Sequence, residues 1–111
     1  MQLLKSPRFM DNHTYIISAS LQLVPIVAGD KHPYQWIDEV IDLIKVSGVK
    51  YSVDPFSTSI ESDYKSVTKL IDTINSFLVD QKCSEWVLQV QFQIRACQDM
   101  TSDEKVSKYL D

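Results

Sequence analysis

The chain has 111 residues, of which 44% are hydrophobic and 23% are charged, and its formal net charge is −4 at pH 7. This length suits one domain with one modest core. The negative charge is atypical of nucleic-acid-binding proteins, which usually present a basic face. No apolar run reaches the length of a transmembrane helix or forms a signal peptide. We therefore expect a cytoplasmic protein that contacts neither nucleic acid nor membrane.

The ends and the cysteines add little to this outline. We interpret residues 1–13 as a flexible polar leader and residues 14–111 as one domain. Cys83 and Cys97 flank a predicted strand, whose extended length of roughly 45 Å exceeds the reach of a disulfide. Neither thiol has a histidine or cysteine at the spacing of zinc ligands. We expect two free thiols, no metal and no cofactor.

The first predicted elements are a strand and a helix. Apolar residues alternate over residues 15–26, where Pro25 marks an end or a bulge. A turn follows at residues 28–30. Pro33 suits the first turn of a helix, because its missing N–H is not needed there. Helical spacing of apolar residues then continues to Gly48, a typical helix C-terminal residue.

A hairpin, a second helix and a last strand follow. The segment 51–61 alternates on both sides of a Pro-Phe corner and indicates two strands. Ser62 or Asp63 can cap a helix that ends near Asp80. Residues 86–96 alternate between apolar and polar positions, which is typical of a one-sided antiparallel strand. A capping box at residues 101–104 predicts a short C-terminal helix.

The order of these elements predicts an α+β, ferredoxin-like fold. Strand, helix, strand, strand, helix and strand form the split βαβ arrangement, here with an added C-terminal helix. Its four-stranded antiparallel sheet has the first and third strands in the middle. Two helices cover one face and leave the other face open.

Strand alternation predicts which side chains line the open face. They are Ser18, Ser20, Gln22, Lys50, Ser52, Ser57, Ser59, Glu61, Gln89, Gln91, Gln93 and Arg95. Neutral amides and hydroxyls dominate, and these groups tolerate desolvation when their hydrogen bonds are satisfied. This favours a face that packs against another subunit or a ligand, although ordinary exposure to solvent is the alternative. For Glu61, this alternative means that its carboxylate lies at the end of a strand and is exposed to solvent.

Three aromatic residues are predicted near loops beside the open end of the fold. Tyr34, Trp36 and Phe56 could each stack on a flat heterocycle. For Trp36, packing in the core is the favoured interpretation, and a ligand contact is the alternative.

Three segments of this pattern resemble the small YkoF-like thiamine-binding family. They are Ser18-x-Ser20-x-Gln22-x-x-Pro25, Ser47-Gly48-x-x-Tyr51 and Pro55-Phe56-Ser57-Thr58-x-Ile60-Glu61. The resemblance covers residues 15–108. Pro55, Thr58, Ile60 and Glu61 match the hairpin signature of the family. The departures are Ser57 and Ser62, which stand where the family has glycines and so affect the shape of the site.

The resemblance implies a ferredoxin-like protein that binds thiamine or its hydroxymethylpyrimidine moiety without catalysis. It also implies homodimers, often paired into tetramers through their sheets. A carboxylate such as Glu61 could accept a hydrogen bond from an aminopyrimidine, while hydroxyls and amides satisfy the remaining edge. The candidate ligand contacts are Ser20, Gln22, Trp36, Phe56, Ser57, Thr58, Ser59, Glu61, Gln91 and Gln93.

Other functions remain open at this point. Ferredoxin-like domains include enzymes, but this sequence has no phosphate-binding glycine loop, no histidines at metal spacing and no nucleophile beside a base. A structural or regulatory oligomerisation module of the same fold is the main alternative. RNA binding on the open sheet is disfavoured, because such sheets use exposed aromatic residues and positive charge.

Overall fold

The computed structural model describes residues 15–95 and residue 99. It contains four strands and two helices: β1 (Ile16–Val27), α1 (Pro33–Ser47), β2 (Lys50–Val53), β3 (Thr58–Asp63), α2 (Tyr64–Asp80) and β4 (Glu85–Gln93). The strands form one antiparallel sheet in the order β2-β3-β1-β4. This confirms the predicted ferredoxin-like βαββαβ fold, with the first and third strands in the middle. The predicted leader, the C-terminal helix and Cys97 lie outside the described residues.

Two strand ends differ from the prediction. β3 continues two residues beyond Glu61, because Ile16 and Ile17 of β1 pair with Asp63 and Ser62. Glu61 is therefore an interior residue of β3, and its description as a strand end was wrong. β4 ends at Gln93 instead of residue 96.

Pro25 lies at a bulge, as the sequence suggested. β1 runs on through this residue, and its register with β4 shifts between Pro25 and Val27. Because proline cannot donate a ladder hydrogen bond, a bulge is one of the few places in a sheet that accept it.

The helices begin and end where the sequence predicts. Pro33 occupies the first turn of α1, and the Nδ1 atom of His32 accepts a hydrogen bond from the Tyr34 N–H. Gly48 ends α1 with a φ of 85°, in the left-handed region that glycine adopts without a Cβ penalty. Asp63 caps α2.

The core lies between the helices and one face of the sheet. β1 contributes every second residue, and each helix contributes one stripe of apolar residues. These side chains form a single apolar layer between the sheet and the helices. Its buried members are Ile17, Ala19, Leu21, Leu23, Trp36, Val40, Ile44, Ile60, Val67, Leu70, Ile74, Leu78 and Cys83. Neither α1 nor α2 is long and apolar enough to span a membrane.

The cap of α2 provides a test of the fold. Both oxygens of Asp63 accept hydrogen bonds from Ser66, from its N–H at 3.0 Å and from its Oγ at 2.6 Å. Partial burial works to raise the pKa of Asp63, but the bonds from Ser66 and Ser62 outweigh it and hold the pKa below its ordinary value of 3.8. The charged form is therefore favoured in the folded protein.

We expect Asp63→Ala to lower the free energy of unfolding by about 0.5–2 kcal/mol at pH 7, the usual effect of removing an N-cap. Asp63→Asn keeps a capping oxygen and should lose less. Because the folded pKa is depressed, the charge contribution is complete well above pH 3.8 and disappears as the pH falls through the lower folded value. Urea denaturation at neutral and acid pH measures both effects. If Asp63→Ala were as stable as the wild-type protein, Asp63 would not act as the N-cap of α2.

Candidate functional site

The open face of the sheet carries three rows of side chains, fixed by the pairing register. The rows are Lys50–Glu61–Ser18–Gln93, then Ser52–Ser59–Ser20–Gln91, then Gln22–Gln89. On the opposite face, Thr58 and Ile60 are buried towards the helices. The hydroxyl and amide side chains of all four strands therefore meet on one surface.

A cavity of about 470 Å³ lies on this face, next to the hairpin that joins β2 and β3. We call it the amide cavity. It is lined by Ser20, Gln22, Phe56, Ser57, Gln89, Val90 and Gln91. Its size lies in the range of small-molecule sites, and its lining is uncharged. Glutamine and serine provide both donors and acceptors, so the cavity can match a heterocycle that presents both.

The first of these rows contains a buried carboxylate, that of Glu61. We call this row, which consists of Lys50, Glu61, Ser18 and Gln93, the carboxylate end of the face. The Glu61 side chain is only 8% exposed, and its Oε2 lies 3.2 Å from Nζ of Lys50, which is 70% exposed. This burial argues against a solvated Glu61. Ser18 and Ser20 are two residues apart on β1, so the carboxylate end lies about 7 Å from the amide cavity.

Ser18 is the unusual member of the carboxylate end. Its residue is 9% exposed, and its Oγ has no hydrogen-bond partner in the structure as described. Buried hydroxyls are normally paired, because an unsatisfied one loses its hydration without compensation. A hydroxyl that lies in register with Glu61 and lacks a partner is suited to a ligand's polar edge.

A second carboxylate borders the face at the hairpin. Oδ2 of Asp54 accepts a hydrogen bond from Ser59 Oγ at 2.7 Å, and Oδ1 lies 3.5 Å from Ser52 Oγ. The Asp54 N–H donates to the Ser57 carbonyl at 2.8 Å and closes the corner. This corner presents Phe56, which is 83% exposed, at the rim of the amide cavity.

Phe56 also lines a second cavity, on the helical side of the hairpin. This cavity has a volume of about 310 Å³ and is mainly apolar. Tyr34 and Ile37 of α1 form one side, and Thr58 lies among its lining residues. The two cavities therefore meet at the hairpin corner, where one aromatic ring borders both.

A third cavity, of about 420 Å³, lies between the end of α1 and the first turns of α2. Its hydroxyls already have local acceptors: Ser47 donates to Ile44, Ser66 to Asp63 and Thr73 to Lys69. Apart from these groups, its described lining offers the side chains of Ser62 and Lys69 but no carboxylate or amide side chain, so the open face is the better candidate site.

The structure separates the predicted site residues into groups. Ser20, Gln22, Phe56, Ser57 and Gln91 line the amide cavity. Ser59, Glu61 and Gln93 lie on the same face outside that cavity. Thr58 is buried on the helical side and does not face them.

Trp36 belongs to the core, which corrects its inclusion among the candidate ligand contacts. It is 1% exposed, and its indole N–H donates to the Ala28 carbonyl at 2.7 Å. Nζ of Lys31 lies 4.2 Å from its ring centroid and also bonds both oxygens of Glu39. The ring faces are thus occupied by protein contacts, including a cation–π contact.

Two residues join the site that were not among the candidate contacts. Gln89 lines the amide cavity, and strand alternation with Gln91 was sufficient to find it. Ser18 was placed on the open face by the same alternation, but its burial depends on tertiary structure. Within residues 15–95 and 99, no group of three histidine, cysteine or acidic side chains could hold a metal ion.

The fold and the polar face together define a ferredoxin-like α+β domain with an open-sheet candidate site. Residues 19–110 match the family described as thiamine-binding protein. The chain belongs to this family, which confirms the resemblance to YkoF-like thiamine-binding proteins.

Individual relatives agree with this assignment. A Thermotoga maritima protein named for thiamine biosynthesis or salvage is 31% identical, with a TM-score of 0.74, over 85% of this chain and 98% of that chain. The DUF77 domain of unknown function from Bacillus cereus is 27% identical, with a TM-score of 0.79, over 86% and 91% of the two chains. A UPF0045 protein of Clostridium perfringens is 28% identical over 92 residues, which are 83% of this chain and 95% of the relative.

The unpaired hydroxyl of Ser18 gives a stability prediction. We expect Ser18→Ala to leave the free energy of unfolding unchanged or to raise it by up to about 1 kcal/mol, because it removes a desolvated group that has no bond to lose. Ser59→Ala is the matched control on the same face. It deletes the 2.7 Å bond to Asp54 and should cost about 0.5–1.5 kcal/mol. Denaturant titration of both variants measures their free energies of unfolding. If Ser18→Ala lost more of this free energy than Ser59→Ala, the Ser18 hydroxyl would not be an unpaired group.

Proposed function

We propose that the protein binds thiamine or its hydroxymethylpyrimidine moiety without catalysis and acts in vitamin B1 handling in the cytoplasm. The observation that carries the proposal is the open face itself. An uncharged amide cavity lies beside a buried carboxylate in a chain that belongs to the thiamine-binding family. The Thermotoga relative supports the connection with thiamine metabolism.

The carboxylate end suits the aminopyrimidine. This ring presents an exocyclic amine beside a ring nitrogen, so it needs an acceptor and a group that can donate. Glu61 can accept from the amine, and the Ser18 hydroxyl can donate or accept next to it. Both residues are 9% exposed, so they have little hydration to lose, and a ligand contacts them once the protein atoms that cover them move aside.

The amide cavity suits the rest of the ligand. The methylene bridge of thiamine leads to a thiazolium ring, which carries a positive charge. An exposed aromatic ring attracts such a cation, and Phe56 lies at the rim. Gln22, Gln89 and Gln91 can adapt their donors and acceptors to neutral substituents.

We also propose that the protein is a homo-oligomer, with an isologous dimer as the simplest form and a tetramer as its extension. The open face becomes apolar beyond the amide cavity, where Val24 and Val87 pair in register and are 43% and 45% exposed. Exposed apolar residues beside an uncharged polar row are typical of a surface that another subunit covers.

Ligand binding is tested by calorimetry and thermal melting with thiamine and with hydroxymethylpyrimidine. Free ligand at a hundred times its dissociation constant should stabilise the fold by about 2.7 kcal/mol, since only the folded state binds. The melting temperature should rise accordingly. Absence of both binding heat and melting shift for the two compounds would refute the proposal.

The role of Glu61 is tested by Glu61→Gln, with Lys50→Gln as the matched control. Loss of a charge-assisted hydrogen bond should weaken binding by about 1.5–3 kcal/mol, or roughly ten- to a hundredfold. Both variants break the ion pair, and Lys50→Gln removes the cation beside the buried Glu61 carboxylate, so its stability is measured together with its affinity. Only Glu61→Gln removes the carboxylate. Binding titrations measure the loss of affinity, and melting curves measure the loss of stability. Equal affinity of Glu61→Gln and wild type would exclude Glu61 from the site.

A further inference from the structure

We propose that this site selects unphosphorylated thiamine over the phosphate esters of thiamine, and that Asp54 contributes to this selectivity. The inference rests on the proposed function and concerns which form of the ligand is bound. Phosphate groups are attached through the hydroxyethyl arm of the thiazolium ring, at the opposite end of the molecule from the aminopyrimidine.

The orientation of the ligand follows from the two ends of the face. With the aminopyrimidine at Glu61, the thiazolium ring lies across the amide cavity and its arm points towards the hairpin corner at Phe56. A phosphate would then lie near the two cavities that meet at this corner. Each phosphate ester adds about −1.5 to −2 charges at pH 7, so it needs cations or free N–H groups there.

The described lining of these two cavities contains no lysine, arginine or histidine. Lys50 is on the open face, but its Nζ is paired with Glu61 at the carboxylate end. Lys31 is bonded to Glu39 and lies over Trp36. Arg95 follows β4 beyond Gln93, at the far end of the face from the hairpin. Among residues 15–95 and 99, the linings of these two cavities thus provide no basic partner for a phosphate.

The N-terminus of α1 is the other place where a phosphate could bind, because helix N-termini commonly present free N–H groups. Tyr34 from this turn lines the second cavity. However, the Tyr34 N–H donates to His32 Nδ1, and the N–H groups of Gln35 and Trp36 donate to the His32 carbonyl. Pro33 has no N–H. The capping of α1 therefore occupies these donors within the helix turn.

The charged group that does border the corner has the wrong sign for a phosphate. Asp54 is held on the open-face side by Ser59 at 2.7 Å, and Ser59 pairs in register with Ser20 of the amide cavity. This carboxylate attracts the thiazolium cation and repels a phosphate attached to it. Only the repulsion distinguishes the two forms, because thiamine and its phosphate esters carry the same thiazolium cation.

The test compares the affinities of thiamine, thiamine phosphate and thiamine diphosphate at low salt, where surface charges are least screened. We expect the diphosphate to bind at least about tenfold more weakly than thiamine to the wild-type protein. Asp54→Asn keeps an acceptor for Ser59. In this variant the dissociation constant of thiamine diphosphate, divided by that of thiamine, should fall at least about threefold. Asp72→Asn makes the same charge change on an exposed turn of α2 and should leave the ratio unchanged.

Each outcome is decisive. Diphosphate binding that equals or exceeds thiamine binding would overturn the selectivity and leave the proposed function standing. A ratio that changes equally in Asp54→Asn and Asp72→Asn would overturn the role of Asp54. Failure of both thiamine and hydroxymethylpyrimidine to bind would overturn the proposed function and this inference together.

Discussion

The alternation of side chains along β1 is the constraint on which the rest of the structure depends. This strand is central, with β3 on one side and β4 on the other. Its register therefore determines which residues of both neighbouring strands lie on each face of the sheet. Ile17 and Leu21 enter the core, while Ser18 and Ser20 face outwards. A slip of one residue would bury serines against the helices and expose the apolar set, so the core fixes the register. The same packing that stabilises the fold therefore positions the polar face.

Between its two carboxylates this face is neutral. Glu61 lies at one end and Asp54 at the other, and amides and hydroxyls fill the intervening rows. Neutral groups can lose their water at moderate cost, whereas a face covered with lysine and glutamate would hold it. The arrangement suits a ligand of limited size with a polar edge and one positive charge. A long anionic ligand would meet like charge at the Asp54 end of the face, because only the Glu61 carboxylate has Lys50 beside it.

The sequence was sufficient to predict the fold, because each element carried a local signal. Pro33, Gly48 and Asp63 mark helix ends through their own backbone and side-chain chemistry. Alternation also predicted which residues share the open face. The burial of Glu61 was not predictable in this way, because it depends on tertiary structure. For Trp36 the sequence left both the core and a ligand contact open, and the hydrogen bond to the Ala28 carbonyl and the packing of the core decide for the core.

The placement of the aromatic residues has a practical consequence for optical measurements. The chain contains two tryptophans, and both lie on the helical side of the sheet. Trp36 is enclosed beneath Lys31, and the Trp86 indole donates to Asn75 of α2 at 3.0 Å. Neither indole lines the amide cavity. Intrinsic fluorescence should therefore follow the loss of helix-to-sheet packing and remain largely insensitive to occupancy of the open face, so that one emission signal reports unfolding independently of binding.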